Sequence, residues 1–231
     1  MITLYQYPPH WGLPNVSLFC MKLECYLKMT GIAYQVKVLR DPRKAPKGKL
    51  PFINDNGFIL ADSSLIIDYL QKKYAPNLDA HLSPLQQGMS LAMQRLIEEH
   101  LYWILLYSRW CEDDNWLICK PEFFGKKRGF FLNFIAETVR KKQFKVLYAH
   151  GIGRHSSADM YKFGVKDLEA LDILFTGPFI FGEKPSTLDA SLYALLANIM
   201  VPPIPSPLQT YAKANKKFVE YCDLMKNTYA I

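Results

Sequence analysis

Lys49-Leu50-Pro51-Phe52-Ile53, followed shortly by Leu60-Ala61-Asp62-Ser63-Ser64, is the stretch from which the rest of the chain is read. Between its halves, Asn54-Asp55-Asn56-Gly57 is dense in turn formers and holds an Asn-Gly pair, a strong short-range hairpin signal. Phe52-Ile53 and Phe58-Ile59-Leu60 are then paired strands. Asp62 or Ser63 caps the helix that follows, because Leu65, Ile66, Tyr69 and Leu70 recur at helical spacing. Pro51 has no N–H to give a ladder, so it belongs at the beginning or edge of a strand, a place that suits a cis bond. The backbone groups of Leu50 are left unpaired beside a helix N-terminus carrying two polar side chains. Such a corner fits the backbone and carboxylate of an extended peptide ligand.

Upstream, Ile2 to Tyr7 alternates: Ile2, Leu4 and Gln6 share one face, Thr3, Tyr5 and Tyr7 the other, which predicts a strand. Pro8-Pro9-His10-Trp11-Gly12-Leu13-Pro14 predicts a loop. A helix is predicted from Ser17, with Leu18, Met21, Cys25, Leu27 and Met29 among its apolar positions and Gly31 as its stop. Tyr34 to Leu39 reads as a second strand, and Asp41 to Gly48, with its prolines and basic residues, as a loop or broken helix. The first 76 residues thus form an α+β layer around one small sheet.

Residues 77–83, opened by Ala75-Pro76-Asn77 and closed by Ser83-Pro84, read as a linker, and 84–231 as an all-helical domain. Its helices are expected over Leu85–Cys111, Phe123–Tyr148, from Ser156 or Ser157 to Leu174, over Ala190–Met200, and over Gln209–Tyr229. Ser83 with Pro84, and Ser186-Thr187-Leu188-Asp189, supply start signals. Gly177 to Gly182 is an apolar plug, and Val201 to Pro207 is too rich in proline for a helix.

In 231 residues that are 50% apolar and 14% aromatic, a sizeable core is available and overall disorder is excluded. No apolar run reaches a membrane span and no basic-then-apolar leader opens the sequence. Five cysteines without paired spacing suggest free thiols in a reducing compartment, so a cytoplasmic location is expected. The net charge of +7 is moderate; Lys126-Lys127-Arg128, Arg140-Lys141-Lys142 and Lys213 to Lys217 are dispersed, without a nucleic-acid motif, and nucleic acid is not an expected partner. Glu98, Glu99 and His100 lack metal-ligand spacing, and Gly151-Ile152-Gly153 follows no strand, so neither a metal nor a dinucleotide is expected.

Several segments carry a family resemblance. Lys49-Leu50-Pro51-Phe52-Ile53 resembles the cis-proline segment of glutathione transferases. Asp62-Ser63 resembles the acidic residue and serine that receive the glutamyl end of glutathione, and Ser186-Thr187-Leu188-Asp189 the capping box of the buried helix in the second domain. More narrowly, Ser17 to Glu24, Ala45 to Lys49, Glu99 to Trp103 and Gly151 to Ser156 resemble the subgroup of failed-axon-connections and metaxin-like proteins. The resemblance implies a thioredoxin-like N-terminal domain (β-α-β-α-β-β-α) followed by an all-α C-terminal domain. It also implies glutathione as co-substrate, a small electrophile as second substrate, and a homodimer.

On that resemblance Ser17 stands where glutaredoxin-like proteins carry a nucleophilic cysteine. A serine there performs no thiol exchange, but its hydroxyl can donate to a thiolate that the helix N-terminus also favours. Lys49, Leu50, Pro51, Asp62 and Ser63 are the implied glutathione-binding residues, with Lys49 toward the glycine-end carboxylate. Tyr5 and Tyr7 rival Ser17 as thiol activators, and His10 and Trp11 are candidate walls of an electrophile pocket. Cys20 falls at the resolving position, either as a small buried hydrophobe or as the thiol of a glutathione-dependent reductase. A non-catalytic binding module acting at a membrane surface is a further alternative.

Overall fold

A computed structural model describes residues 1–74, 77–125 and 129–231. Ala75 and Pro76 of the expected linker, and the cluster Lys126-Lys127-Arg128, lie outside the described residues.

Alternation along Ile2–Gln6 (β1) sets Ile2, Leu4 and Gln6 inward. β1 runs parallel to β2 (Tyr34–Val38) and antiparallel to β3 (Phe52–Asp55), which pairs with β4 (Phe58–Ala61), giving the order β2-β1-β3-β4. A parallel pair needs a crossover. Helix α1 (Leu18–Thr30) supplies it and ends at Gly31, whose φ of 66° is the left-handed cap the sequence predicted. Helix α2 (Ser63–Tyr74) follows β4. Ile2, Leu4 and Ile53 pack into one core with residues of α1 and α2, while Phe52 joins Cys20, Ala45, Leu50 and Ala61 in a second, smaller cluster. The helix of the expected plan between β2 and β3 is shortened to a 3-10 turn at Pro42–Lys44, capped by Asp41. Pro46 lies just beyond it, where helix would have to continue.

The helical half comprises α3 (Pro84–Arg95), α4 (Tyr102–Trp110), α5 (Asp113–Phe124), α6 (Phe130–His150), α7 (Ser157–Leu174), α8 (Thr187–Met200), α9 (Pro207–Ala214) and α10 (Lys216–Tyr229). The long helix expected over 85–111 is continuous but contains a π-helical turn, Leu96–Leu101, which directs Glu98 into the core. Phe123 and Phe124, expected to begin the next helix, end α5, which the sequence did not announce because Pro121 interrupts it. Asp113 and Asp114 favour its N-terminus, and Trp116 and Cys119 bury against Ala136 and Ile204, which outweighs the proline. The closing helix is broken at Asn215, which caps α10. Helix α8 is buried from Leu188 to Ile199 without interruption, and α1 lies along it, so the two halves share one core.

Candidate functional site

The register of the sheet builds the site. Phe52 pairs with Tyr5 on one side and Ala61 on the other, so Pro51 and Asp62 stand one step beyond the same rung. Cys20, in the first turn of α1, packs in one cluster with Leu50, Phe52 and Ala61, with Tyr5 and Tyr7 against it. The start of α1, the Pro51 corner and the start of α2 therefore converge at one end of the sheet. The Leu50–Pro51 peptide is cis, and Pro51 is buried.

Asp62 is exposed with φ at 94°, in the left-handed region a side chain seldom adopts, and its Oδ1 accepts from Ser64 N (3.0 Å) and Leu65 N (3.2 Å). It thereby caps α2 and places its carboxylate at the positive helix end. Ser63 beside it is buried. Lys49 is exposed at the corner.

At the start of α1, Ser17 occupies the N-cap position yet makes no side-chain capping bond. Asn15 instead fixes the turn that leads into the helix. Wholly buried, it accepts from Ser17 N through Oδ1 (2.9 Å) and donates to the Tyr7 carbonyl (2.8 Å). By contrast Ser83, Ser156 and Ser206 each accept a backbone N–H from the helix they begin, and Ser186 forms a full capping box with Asp189. The Ser17 hydroxyl is not spent on the α1 backbone, and its protein partner is the Cys20 thiol. Burial pushes that thiol up to about 12, against hydrogen bonding from the Ser17 side chain and the Tyr7 backbone. At neutral pH Cys20 is a buried, protonated thiol, a poor candidate for redox exchange. Burial also raises Tyr7, with Cys20 and Tyr102 adding to the effect, and Tyr5 lies stacked on Phe52 at 4.2 Å.

The loop before α1 is seated on the helical half. His10 Nδ1 lies 3.0 Å from Glu122 Oε1, and the His10 and Trp11 rings meet Phe123 edge-on at 5.5 and 5.4 Å. Phe19 meets Tyr102 of α4 at 5.0 Å. Trp103 stacks on His150 at 4.4 Å, so it serves packing inside the helical half, as do Gly151 to His155, whose turn brings Arg154 over Tyr148.

Two buried polar clusters lie beneath the site, and neither was evident in the sequence. Lys22 Nζ donates to Glu98 Oε1 (2.6 Å) and Ser64 Oγ (3.0 Å), while Gln94 Nε2 and Ser191 Oγ also donate to Glu98 Oε1, both at 3.1 Å. Arg109 reaches the Val16 carbonyl with Nη1 (2.6 Å) and the Asn198 carbonyl and Oδ1 with Nη2 (2.7 and 2.8 Å). The available signal was a charge inside an apolar helical run, Lys22 in 18–27 and Arg109 in 101–111. A polar surface cavity of about 310 Å³, lined by Asp79, Leu82, Gln87 and Ser90 among others, lies past the other end of α2. Among the described residues no group of three or more His, Cys, Asp or Glu is placed to hold a metal ion, and no helix is long and apolar enough to cross a membrane.

A small sheet in thioredoxin-like order, joined through a buried helix to a helical bundle, defines a fold class shared with solved structures. Beta-etherase LigF from Sphingobium sp. strain SYK-6 matches with a TM-score of 0.68 at 14% identity, over 97% of this chain and 94% of that one. Glutaredoxin 2 from Salmonella typhimurium, solved in complex with glutathione, matches at 0.60 and 18%, over 100% and 95%. The profile for the glutathione S-transferase N-terminal domain matches residues 18–115, and that for the C-terminal domain residues 164–225. The isoprene-epoxide--glutathione S-transferase of Rhodococcus sp. (strain AD45) is 35% identical over the full length of both chains. Failed axon connections of Drosophila melanogaster is 36% identical over 91% of this chain and 53% of its own, and Metaxin-1 of Mus musculus 27% over 99% and 75%. The chain belongs to the glutathione S-transferase family.

Proposed function

We propose that the protein binds glutathione and transfers its thiol to small electrophiles, epoxides among them. The carrying observation is the Ser17 hydroxyl, which stands in the N-cap position, makes no bond to the α1 backbone and has the neutral Cys20 thiol as its protein partner. In this reading Leu50 and Pro51 offer backbone to the peptide, Asp62 and Ser63 take its glutamyl end, and Lys49 faces its glycine carboxylate. The thiol then points to the start of α1, where the Ser17 hydroxyl donates to the thiolate and the helix dipole adds to its stability. The thiolate attacks an electrophilic carbon; with an epoxide, a C–S bond forms as a C–O bond breaks, and the alkoxide takes a proton from water. His10 and Trp11, held by Glu122 and Phe123, wall the side from which the electrophile approaches. The relative acting on isoprene epoxide supports the choice of small epoxides.

Retention on immobilised glutathione and conjugation of chlorodinitrobenzene and a small epoxide test this. Ser17→Ala is expected to lower turnover by about 10- to 100-fold, the scale of one hydrogen bond to a charged group, whereas Tyr7→Phe changes it less than about 3-fold. Equal turnover for wild type and Ser17→Ala sinks the assignment. A homodimer, on family resemblance, and a cytoplasmic location, on cysteine usage, belong to the same proposal; sedimentation velocity tests the first.

A second reading, a non-catalytic binding module that works at a membrane surface, is favoured by exposed Phe130, Phe131 and Phe134 at the start of α6. Retention on glutathione without turnover is the outcome that supports it.

A further inference from the structure

Arg109, in α4, is 6% exposed, and its hydrogen-bond acceptors are two backbone carbonyls and one amide oxygen, all neutral. Among the described residues its Nε has no partner. Burial pulls the guanidinium down to about 10, which leaves it charged at neutral pH. The titratable groups that act on it are Cys119 of α5 and Tyr102 of α4, and burial raises both, Cys119 to about 12, so neither supplies a negative charge. Around Ser17 the titratable neighbours are Cys20 from α1 and Tyr7 from the loop after β1, both raised by burial, while His10 is engaged with Glu122. The carboxylate of α1 and the buried one of the π-helical turn are already engaged, Glu24 with Gln6 and Tyr34 and Glu98 with Lys22, while Glu99 of that turn is exposed. Asp189 of α8 is held at the other end of its helix from Asn198, by Ser186 and the Ile180 N–H. A buried cation without a counter-ion is costly, and folding alone gives no reason to keep one. Its place gives a reason: Arg109 binds the carbonyl of Val16, the residue before Ser17, and so lies directly behind the helix start where the thiolate of the proposed reaction would sit.

We propose that Arg109 is a positioning and charge-balancing residue for the thiolate site, its missing counter-ion being the sulfur anion of a thiol substrate held at Ser17. The inference rests on the glutathione reading given above. Its charge favours the same anion as the α1 dipole does, from a buried place where water screens it little. It also holds Val16 and Asn198 in place, and Asn198 in turn donates to the Asn15 carbonyl (3.3 Å), so charge and geometry meet in one cluster.

The experiment titrates the thiolate absorbance of enzyme-bound glutathione against pH and measures Kd for glutathione and for S-methylglutathione, which has no thiol to ionise. Arg109→Met is expected to raise the bound thiol's pKa by at least about one unit, a roughly 10-fold loss of thiolate at fixed pH. Its Kd for S-methylglutathione should change less than about 3-fold, and Arg109→Lys should restore most of the shift. Asn198→Asp, which keeps the guanidinium and sets a carboxylate beside it, covers the case in which Arg109→Met does not fold, and should raise the thiol pKa likewise. Wild-type binding and thiol activation with an unchanged titration in Arg109→Met or Asn198→Asp overturns the inference and leaves the glutathione reading standing. A wild type that binds neither glutathione nor its S-methyl derivative overturns both.

Discussion

Ser17 and Cys20 lie three residues apart in the first turn of α1, and their surroundings give them opposite chemistry. The hydroxyl makes no capping bond to the α1 backbone; the thiol is closed into the cluster of Leu50, Phe52 and Ala61. A thiol that burial pushes up to about 12 is almost wholly protonated at neutral pH, and one so enclosed has no route to a reagent. Alkylation of the native protein at pH 8, read by peptide mass spectrometry, is therefore expected to leave Cys20 unmodified, and denaturation to expose it. Rapid modification of native Cys20 would instead return it to the list of redox candidates. Sequence alone could not separate these two residues, since Ser-x-x-Cys at a helix start is compatible with either reading.

At the scale of elements, the end of β3 is tied to α2 through one carboxylate. Asp55 Oδ2 accepts from Lys73 Nζ (2.6 Å), Tyr69 Oη (2.8 Å) and Tyr74 Oη (2.9 Å). Burial by itself raises the Asp55 carboxyl, but these three donors together outweigh it and hold it below the usual range. A carboxyl depressed in the folded state contributes stability that is present above its unfolded pKa and is lost as pH falls through the folded one. Asp55→Asn is thus expected to be less stable than wild type in urea at pH 7, with the gap closing as pH drops below about 4. A gap that stays constant across that range would show that the charge of Asp55 contributes nothing. The motif is half-legible in the chain: Tyr69, Lys73 and Tyr74 at helical spacing read as a helix face, but the sheet residue they meet is set by the register of β3.

Across the whole molecule, the sheet layer and the helical half are joined by buried charge as well as by apolar packing. Lys22 of α1, Glu98 of the π-helical turn, Ser64 of α2 and Ser191 of α8 share one network. Burial lowers the Lys22 pKa, and Glu98 opposes that shift. Losing one member of a buried pair leaves the other without compensation, so Lys22→Met is expected to cost about 3–5 kcal/mol in urea unfolding. Lys22→Met with Glu98→Leu should recover a substantial part of that loss. Additive losses in the double variant would show that the two residues do not act as a pair.

The sequence by itself determined the local order of elements: the alternation of β1, the Asn-Gly turn, the caps at Ser83 and Ser186, and the stop at Gly31 all depend on residues close in the chain, and so could be read there. It also placed Pro51 and Asp62-Ser63 at a corner, because a hairpin's register follows from its turn. Tertiary structure alone decided what those residues face. Helix α5 forms despite Pro121 because Trp116 and Cys119 find Ala136 and Ile204. Lys22, Arg109 and Asn198 take their roles from partners on other elements, from 42 positions away for Ser64 and Lys22 to 183 for Asn198 and the Asn15 carbonyl. A buried polar group is specified by whatever satisfies it, and across such separations only the packed fold brings that partner near.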